Sequence, residues 1–383
     1  MKIGEATRCG LQAGAPSWGR RTAPNGVSAA RAAVFLAAAL LACPAAAQQK
    51  TSFPSFEISS GTPLFSQAAA TGVVVGQGGN FSVALEDGRA LWFLNNVMTG
   101  ERKADGQAAV WDIVDGAAAL SPSTSPWAQQ GAFKYVADEN NLPLPLLSGD
   151  LGEYSQVRKF WPRSGFCSGG KCRVFYSIMN NYGPGPYDFF RVGQGVAWAD
   201  SPAGPYQKAR SGSRYGFWND IEPAFGSALL ADEDGWLYVY GRAPAAPGEY
   251  GVALARVRPG EMLSPEKYSY YSLEAASGPW TSDLAEASQV LGGLPEDFSV
   301  SYNEFTKSYL AVYLDEDSGV AAARQARYPW GPWGEPARLL ACAKEDYCYG
   351  AREQAAFARE GGKKIYITVE KKNAPYLYEI RFK

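Results

Sequence analysis

Short runs of aromatic and β-branched residues alternate along the chain with turns rich in Gly, Asp, Asn and Pro, and a helical spacing of apolar positions is nearly absent. This pattern predicts an all-β protein. Five runs resemble one another: Ala90-Leu-Trp-Phe-Leu94, Arg173-Val-Phe-Tyr-Ser177, Trp236-Leu-Tyr-Val-Tyr240, Tyr309-Leu-Ala-Val-Tyr313 and Lys364-Ile-Tyr-Ile-Thr368. Four follow a strong turn signal, namely Asp87-Gly88, Gly169-Gly170-Lys171, Asp234-Gly235 and Gly361-Gly362-Lys363, and the remaining one follows the weaker Phe305-Thr306-Lys307. Such turns supply the positive φ that tight hairpins need. A second run follows each, at 107–113, 193–200, 250–257, 319–326 and 376–382. A shorter run of smaller residues precedes each, at 80–84, 153–157, 222–226, 297–301 and 353–357.

Five equivalent hairpins spread over one chain predict radial repetition, a five-bladed β-propeller in which the small-residue runs are the crowded inner strands. A sandwich or jelly roll does not call for five such units. Fourth strands are expected near 267–273 and 337–341. The chain stops on the third strand of unit five, so an N-terminal strand, from 53–59 or 72–76, is expected to complete that blade and close the ring.

The first 47 residues read as a signal peptide: Arg20, Arg21 and Arg31 precede an apolar run at 32–42, followed by Ala45-Ala46-Ala47. That run is too short to span a bilayer. Leu40-Leu41-Ala42-Cys43 offers an alternative, a lipoprotein signal with the chain anchored through Cys43. Residues 48–383 then form one secreted or periplasmic domain with 31 Lys and Arg against 37 Asp and Glu, a net charge of −6. This acidity disfavours a nucleic-acid partner, no membrane span is expected, and a monomer is. Cys167 with Cys172 and Cys342 with Cys348 read as two local disulfides; the five residues between the second pair fit a zinc site poorly.

Histidine is absent from the sequence, which excludes Ser-His-Asp and Cys-His machinery and His-ligated metals. Acid–base work then falls to carboxylates, the usual choice for glycosides. The five inner runs begin with Asn80, Glu153, Glu222, Asp297 and Glu353. In register, these would converge at one mouth of the channel. One acid at a strand end ordinarily caps a turn, but four carboxylates and one amide in register suggest a site. Glu222 is the expected general acid, with Asp297 or Glu153 as base or nucleophile. Asn80, Asn95, Arg158, Trp161, Trp218 and Glu353 are expected to bind a polysaccharide or oligosaccharide. No cofactor is expected, although a propeller axis can hold a structural Ca²⁺.

Two blade endings, Ala197-Trp-Ala-Asp-Ser-Pro-Ala-Gly-Pro-Tyr206 and Ala323-Arg-Gln-Ala-Arg-Tyr-Pro-Trp-Gly-Pro-Trp333, resemble those of five-bladed propeller glycosidases of the arabinanase, xylosidase and fructosidase type. Gly79-Asn-Phe-Ser-Val-Ala-Leu85 and Phe225-Gly-Ser-Ala-Leu-Leu230 resemble an exported family of unknown function, some of whose relatives are bacterial endo-D-arabinanases. That resemblance implies a glycan-active propeller. It also implies active-site aspartates where this chain has Asn80 and Leu94-Asn95-Asn96, so it leaves two readings: a glycoside hydrolase with a shifted set of acids, or a carbohydrate-binding or surface-scaffold propeller without catalysis.

Overall fold

The computed structural model describes residues 53–64, 73–104, 107–126, 133–154, 156–185, 188–245, 249–276 and 278–383. The leader, Cys43 and Ser155 lie outside these. The described chain forms five antiparallel sheets in chain order, the blades of a propeller. Their second and third strands are Ala90–Arg102 with Ala108–Ser121, Lys171–Asn181 with Phe189–Ala199, Leu237–Pro244 with Tyr250–Val257, Ser308–Asp315 with Val320–Ala326, and Lys364–Lys371 with Ala374–Phe382. The Asp-Gly turns behave as read, with Gly88 at φ 84° and Gly235 at φ 79°.

The near-continuous apolar runs have a simple cause. Each blade is covered on both faces, so the period of two sends alternate residues to different neighbours. Leu91 and Phe93 join the layer between blades one and two, while Ala90, Trp92 and Leu94 join Tyr366 and Phe357 of blade five. Val174 and Tyr176 face blade one, and Phe175 faces blade three. Tyr238 and Tyr240 pack with Phe298 and Tyr313, and Val312 with Ile365 and Ile367. Five apolar layers therefore join five blades into a ring.

The ring closes through the N-terminal segment. Phe56–Ile58 pairs antiparallel with the last strand, in register Phe56↔Phe382 to Ile58↔Ile380, and Thr62–Pro63 adds to the same edge. The alternative segment near 72–76 belongs to blade one, where Val74–Gly78 pairs with Ala90–Arg102. Fourth strands form at Ser269–Tyr271 and Ala337–Ala341.

The inner strands depart from the expected register. They are Val74–Gly78 with Phe81–Ala84, Arg158–Ser168, Ala224–Ala231, Phe298–Asn303 and Cys348–Glu353. Register shifts fall between Pro162 and Gly165, Phe225 and Ala228, and Tyr349 and Ala351. Bulges of this kind add residues to one strand and re-aim side chains. Asn80 and Asp297 stay at the heads of their inner segments, whereas Glu153 and Glu222 precede theirs and Glu353 ends its own.

Both disulfides are present. Cys167 and Cys172 face each other across the first hairpin of blade two, and Cys342–Cys348 joins the end of blade four to the start of blade five.

Candidate functional site

One mouth of the axial channel opens into a cleft of about 320 Å³ to which all five blades contribute. Its wall includes Gly78, Gly79, Asn95 and Asn96 from blade one and Trp161, Arg163 and Phe189 from blade two. Arg242 comes from blade three, Glu296, Asp297 and Glu316 from the start and the second hairpin of blade four, and Tyr349 from blade five.

Two aromatic rings form one side. Trp161 and Phe189 meet edge to face, centroids 4.5 Å apart at 79°. The Trp161 indole N–H donates to Asp115 Oδ1 at 3.3 Å, which fixes its plane. Such a ring offers the apolar C–H face of a sugar a flat partner.

The acids opposite are in different states. Buried Arg163 donates to Ser177 Oγ (2.9 Å), Asp297 Oδ1 (2.6 Å) and Glu296 Oε1 (2.7 Å). Arg352, stacked on Phe81, lies 2.6 Å from the same Asp297 oxygen. Burial works to raise the Asp297 pKa, but Arg352 and Arg163 outweigh it and hold the carboxyl below its ordinary value. Glu316 is shifted the other way: loss of water on the cleft side raises it, Arg242 opposes, and the neighbouring acids Asp297, Asp317 and Glu296 add to the rise. Among the described residues Glu316 has no hydrogen-bond or ion-pair partner. Arg242 stacks on Tyr250 at 3.4 Å, with its Nε unpartnered.

Behind the glycine wall lies Glu370, at the end of the second strand of blade five. Its Oε1 accepts from the Gly79 N–H (2.8 Å) and Asn80 Nδ2 (3.1 Å), and Asn80 Oδ1 accepts from Gln77 Nε2 (2.8 Å). Burial, with Asp297 adding and Arg352 opposing, pushes Glu370 up to about 7.

Asn95, Trp161 and Asp297 line the cleft, and Asn80 lies just beneath it. Glu353 sits deeper, in an axial channel of about 90 Å³ that it shares with Ser82, Ser164 and Ser299. There it accepts from Ser301 Oγ at 2.6 Å. Glu153 is bound to Tyr215, Arg158 and Lys208, away from the cleft wall. Arg158 also donates to Asn180 Oδ1. Glu222 accepts the Asn219 N–H at 2.7 Å, a turn-capping contact outside the cleft. Trp218 is 3% exposed, enclosed by Phe225 and Tyr268 between blades two and three, so it packs the core and offers no face to a ligand.

Glu296, Glu316 and Glu370 escape a search confined to inner-strand heads. Glu316 lies three residues past the run 309–313 and Glu370 two past 364–368, as Asn95-Asn96 lie one and two past 90–94, so extending the repeat by three residues exposes them. Among the described residues no group of three or more His, Cys, Asp and Glu side chains could hold a metal ion. With Asp297 and Glu296 engaged by arginine, the donor set does not fit a cation.

Residues 190–379 match the family model of a domain of unknown function, DUF4185. No curated protein matches the chain. Among solved structures it is similar to a protein of Bacteroides ovatus ATCC 8483 to which a hydrolase activity has been ascribed, with TM-score 0.60, 16% identity, and 82% of this chain and 88% of that one covered. It is also similar to a family 117 glycoside hydrolase of Zobellia galactanivorans, with TM-score 0.50, 13% identity, and 86% and 91% covered. A GH43 β-xylosidase/α-arabinofuranosidase from a compost metagenome, solved with xylotriose, aligns at TM-score 0.49 and 16% identity over 86% and 95%. At these identities the likeness is one of fold.

Proposed function

We propose that this chain, a five-bladed propeller whose residues 190–379 match the DUF4185 family model, is a glycoside hydrolase acting in the channel-mouth cleft. The observation that carries the reading is the pairing, in one cleft beside the Trp161–Phe189 platform, of a Glu316 without a bonded partner among the described residues, whose pKa is raised, with an arginine-bound Asp297, whose pKa is lowered. Unlike environments for two carboxyls are what acid–base cleavage of a glycoside requires. Glu316 protonates the leaving oxygen as the glycosidic C–O bond breaks. Asp297, with Glu296 beside it, faces the positive charge that develops on the sugar, and a water adds to the carbon bearing that charge as it gives its proton to a cleft carboxylate. The substrate is an oligosaccharide or polysaccharide met outside the cytoplasm, in keeping with the two disulfides and the leader. The protein acts as a monomer without a nucleic-acid partner.

Asn80 and Asn95 support a second reading, a propeller that retains glycans without cleaving them, since an amide cannot exchange a proton as an acid does.

Release of reducing ends from arabinans, galactans, xylans and fructans is the test. The wild type releases sugar from at least one, and Glu316→Gln lowers the rate at least ~100-fold, the scale of a lost general acid. Retention of a glycan without release selects the second reading, and neither binding nor release rejects both.

A further inference from the structure

Gly78 leaves a notch in the cleft wall. A Cβ placed on it would lie 2.9 Å from Asn96 Oδ1, 3.2 Å from Glu370 Oε2 and 3.4 Å from the Tyr349 hydroxyl oxygen. Three oxygens from three different strands thus surround a space the size of a methyl group, and Gly78, Asn96 and Tyr349 all line the cleft. Asn96 Oδ1 and Glu370 Oε2 are buried with no hydrogen-bond partner, and Glu370 is 3% exposed. The Tyr349 hydroxyl donates to Asn373 Oδ1 at 2.9 Å. Buried acceptors without donors are costly, and Asn96 Oδ1 and Glu370 Oε2 face a space open to a ligand.

We propose that the notch is a hydroxyl subsite of the cleft, in which one neutral sugar hydroxyl donates to Asn96 Oδ1 and accepts a hydrogen from the protonated carboxyl of Glu370. This rests on the glycan reading above and adds to it the recognition of a single uncharged hydroxyl. Donor counting selects the protonated form. Glu370 Oε1 already accepts from the Gly79 N–H and Asn80 Nδ2, so its proton resides on Oε2. A sugar hydroxyl has one hydrogen to give. Opposite an ionised Glu370 it satisfies either Oε2 or Asn96 Oδ1 and leaves the other bare. Opposite the protonated acid it satisfies both.

The charged groups that face Glu370 are Asp297 and Arg352. They are joined to each other, and Arg163 holds the same Asp297 oxygen, so both keep their charges through the neutral range. From blade one it meets Gly79, Asn80 and Asn96, and from its own blade Tyr349, all uncharged. Glu370, at about 7, is the member of this group that titrates near neutrality.

Isothermal titration with xylotriose and with neutral arabinose, galactose and fructose oligosaccharides, at pH 6 and pH 8, tests the assignment. A group titrating at about 7 is protonated in roughly ten elevenths of molecules at pH 6 and one eleventh at pH 8. The wild type therefore binds about tenfold more tightly at pH 6. Glu370→Gln, whose amide donates from the same place, binds equally at both. Gly78→Ala fills the notch and binds at least ~10-fold more weakly at pH 6; circular dichroism melts check that both variants fold. Unchanged affinity in Gly78→Ala, or a pH dependence that is absent from the wild type or survives in Glu370→Gln, overturns the notch and leaves the cleft reading standing. A wild type that binds no member of the panel overturns both.

Discussion

Asp297 and Glu353 are both recessed carboxyls near the axis, yet their environments move them in opposite directions. Two arginines keep Asp297 ionised against its burial, whereas Glu353 has burial, opposed only by the Ser301 hydroxyl, and is pushed up to about 7. A carboxyl that holds its proton more tightly when folded contributes stability fully below its unfolded value of 4.5, and that contribution is lost as pH rises toward about 7. For Glu353 this is roughly 3 kcal/mol at most. Thermal melts at pH 5 and pH 8 should show Glu353→Gln reducing the wild-type loss of stability at the higher pH, and an undiminished loss would contradict the assignment. Asp297 was legible as an acid at the channel mouth because its strand carries no bulge before it. The identities of Glu153, Glu222 and Trp218 gave no warning of what they touch: an acid that caps a turn and a tryptophan in an apolar layer look the same in sequence as a catalytic pair and a sugar platform.

At the scale of the element, hairpins were legible and inner strands were not. The second and third strands are near-continuous apolar runs of eight or more residues in most blades, and a glycine turn precedes the second in four of them, so each position is over-determined. The inner strands are short, small-residue segments, and their bulges at 163–164, 226–227 and 350 shift register without any strong sequence mark. Local spacing alone, in contrast, identified both disulfides. Each closes a loop of a few residues, for which the chain-entropy account gives about 2 kcal/mol. Reduction should therefore leave the far-UV spectrum of the propeller intact and lower its melting temperature by several degrees. Global unfolding at room temperature on reduction would mean that the bridges carry more than local order.

The ring is what turns five ordinary hairpins into a site, because side chains distant in sequence meet only when the last blade reaches the first. Glu370 binds Gly79 and Asn80 across that seam, and the seam itself depends on Phe56–Ile58 pairing with the terminal strand. Deleting residues 53–63 bares the edge of Ala374–Phe382 and the apolar cluster around Phe382 that Phe53 and Phe56 cover. The truncated protein should elute as aggregates on size exclusion and lose its cooperative melt, although no cleft residue has been removed. A soluble, cooperatively folding truncation would show that closure is dispensable. Beside the channel-mouth cleft the molecule carries a larger one, about 630 Å³ between blades one and two, bordered by Leu146, Tyr206 and Lys208, and the two make the glycan assignment sharply testable. A crystal structure with a bound oligosaccharide from the panel should show a sugar ring against Trp161 and Phe189, within hydrogen-bond reach of Glu316 or Asp297. Density confined to the cleft between blades one and two, with the channel mouth holding only solvent, would contradict the account.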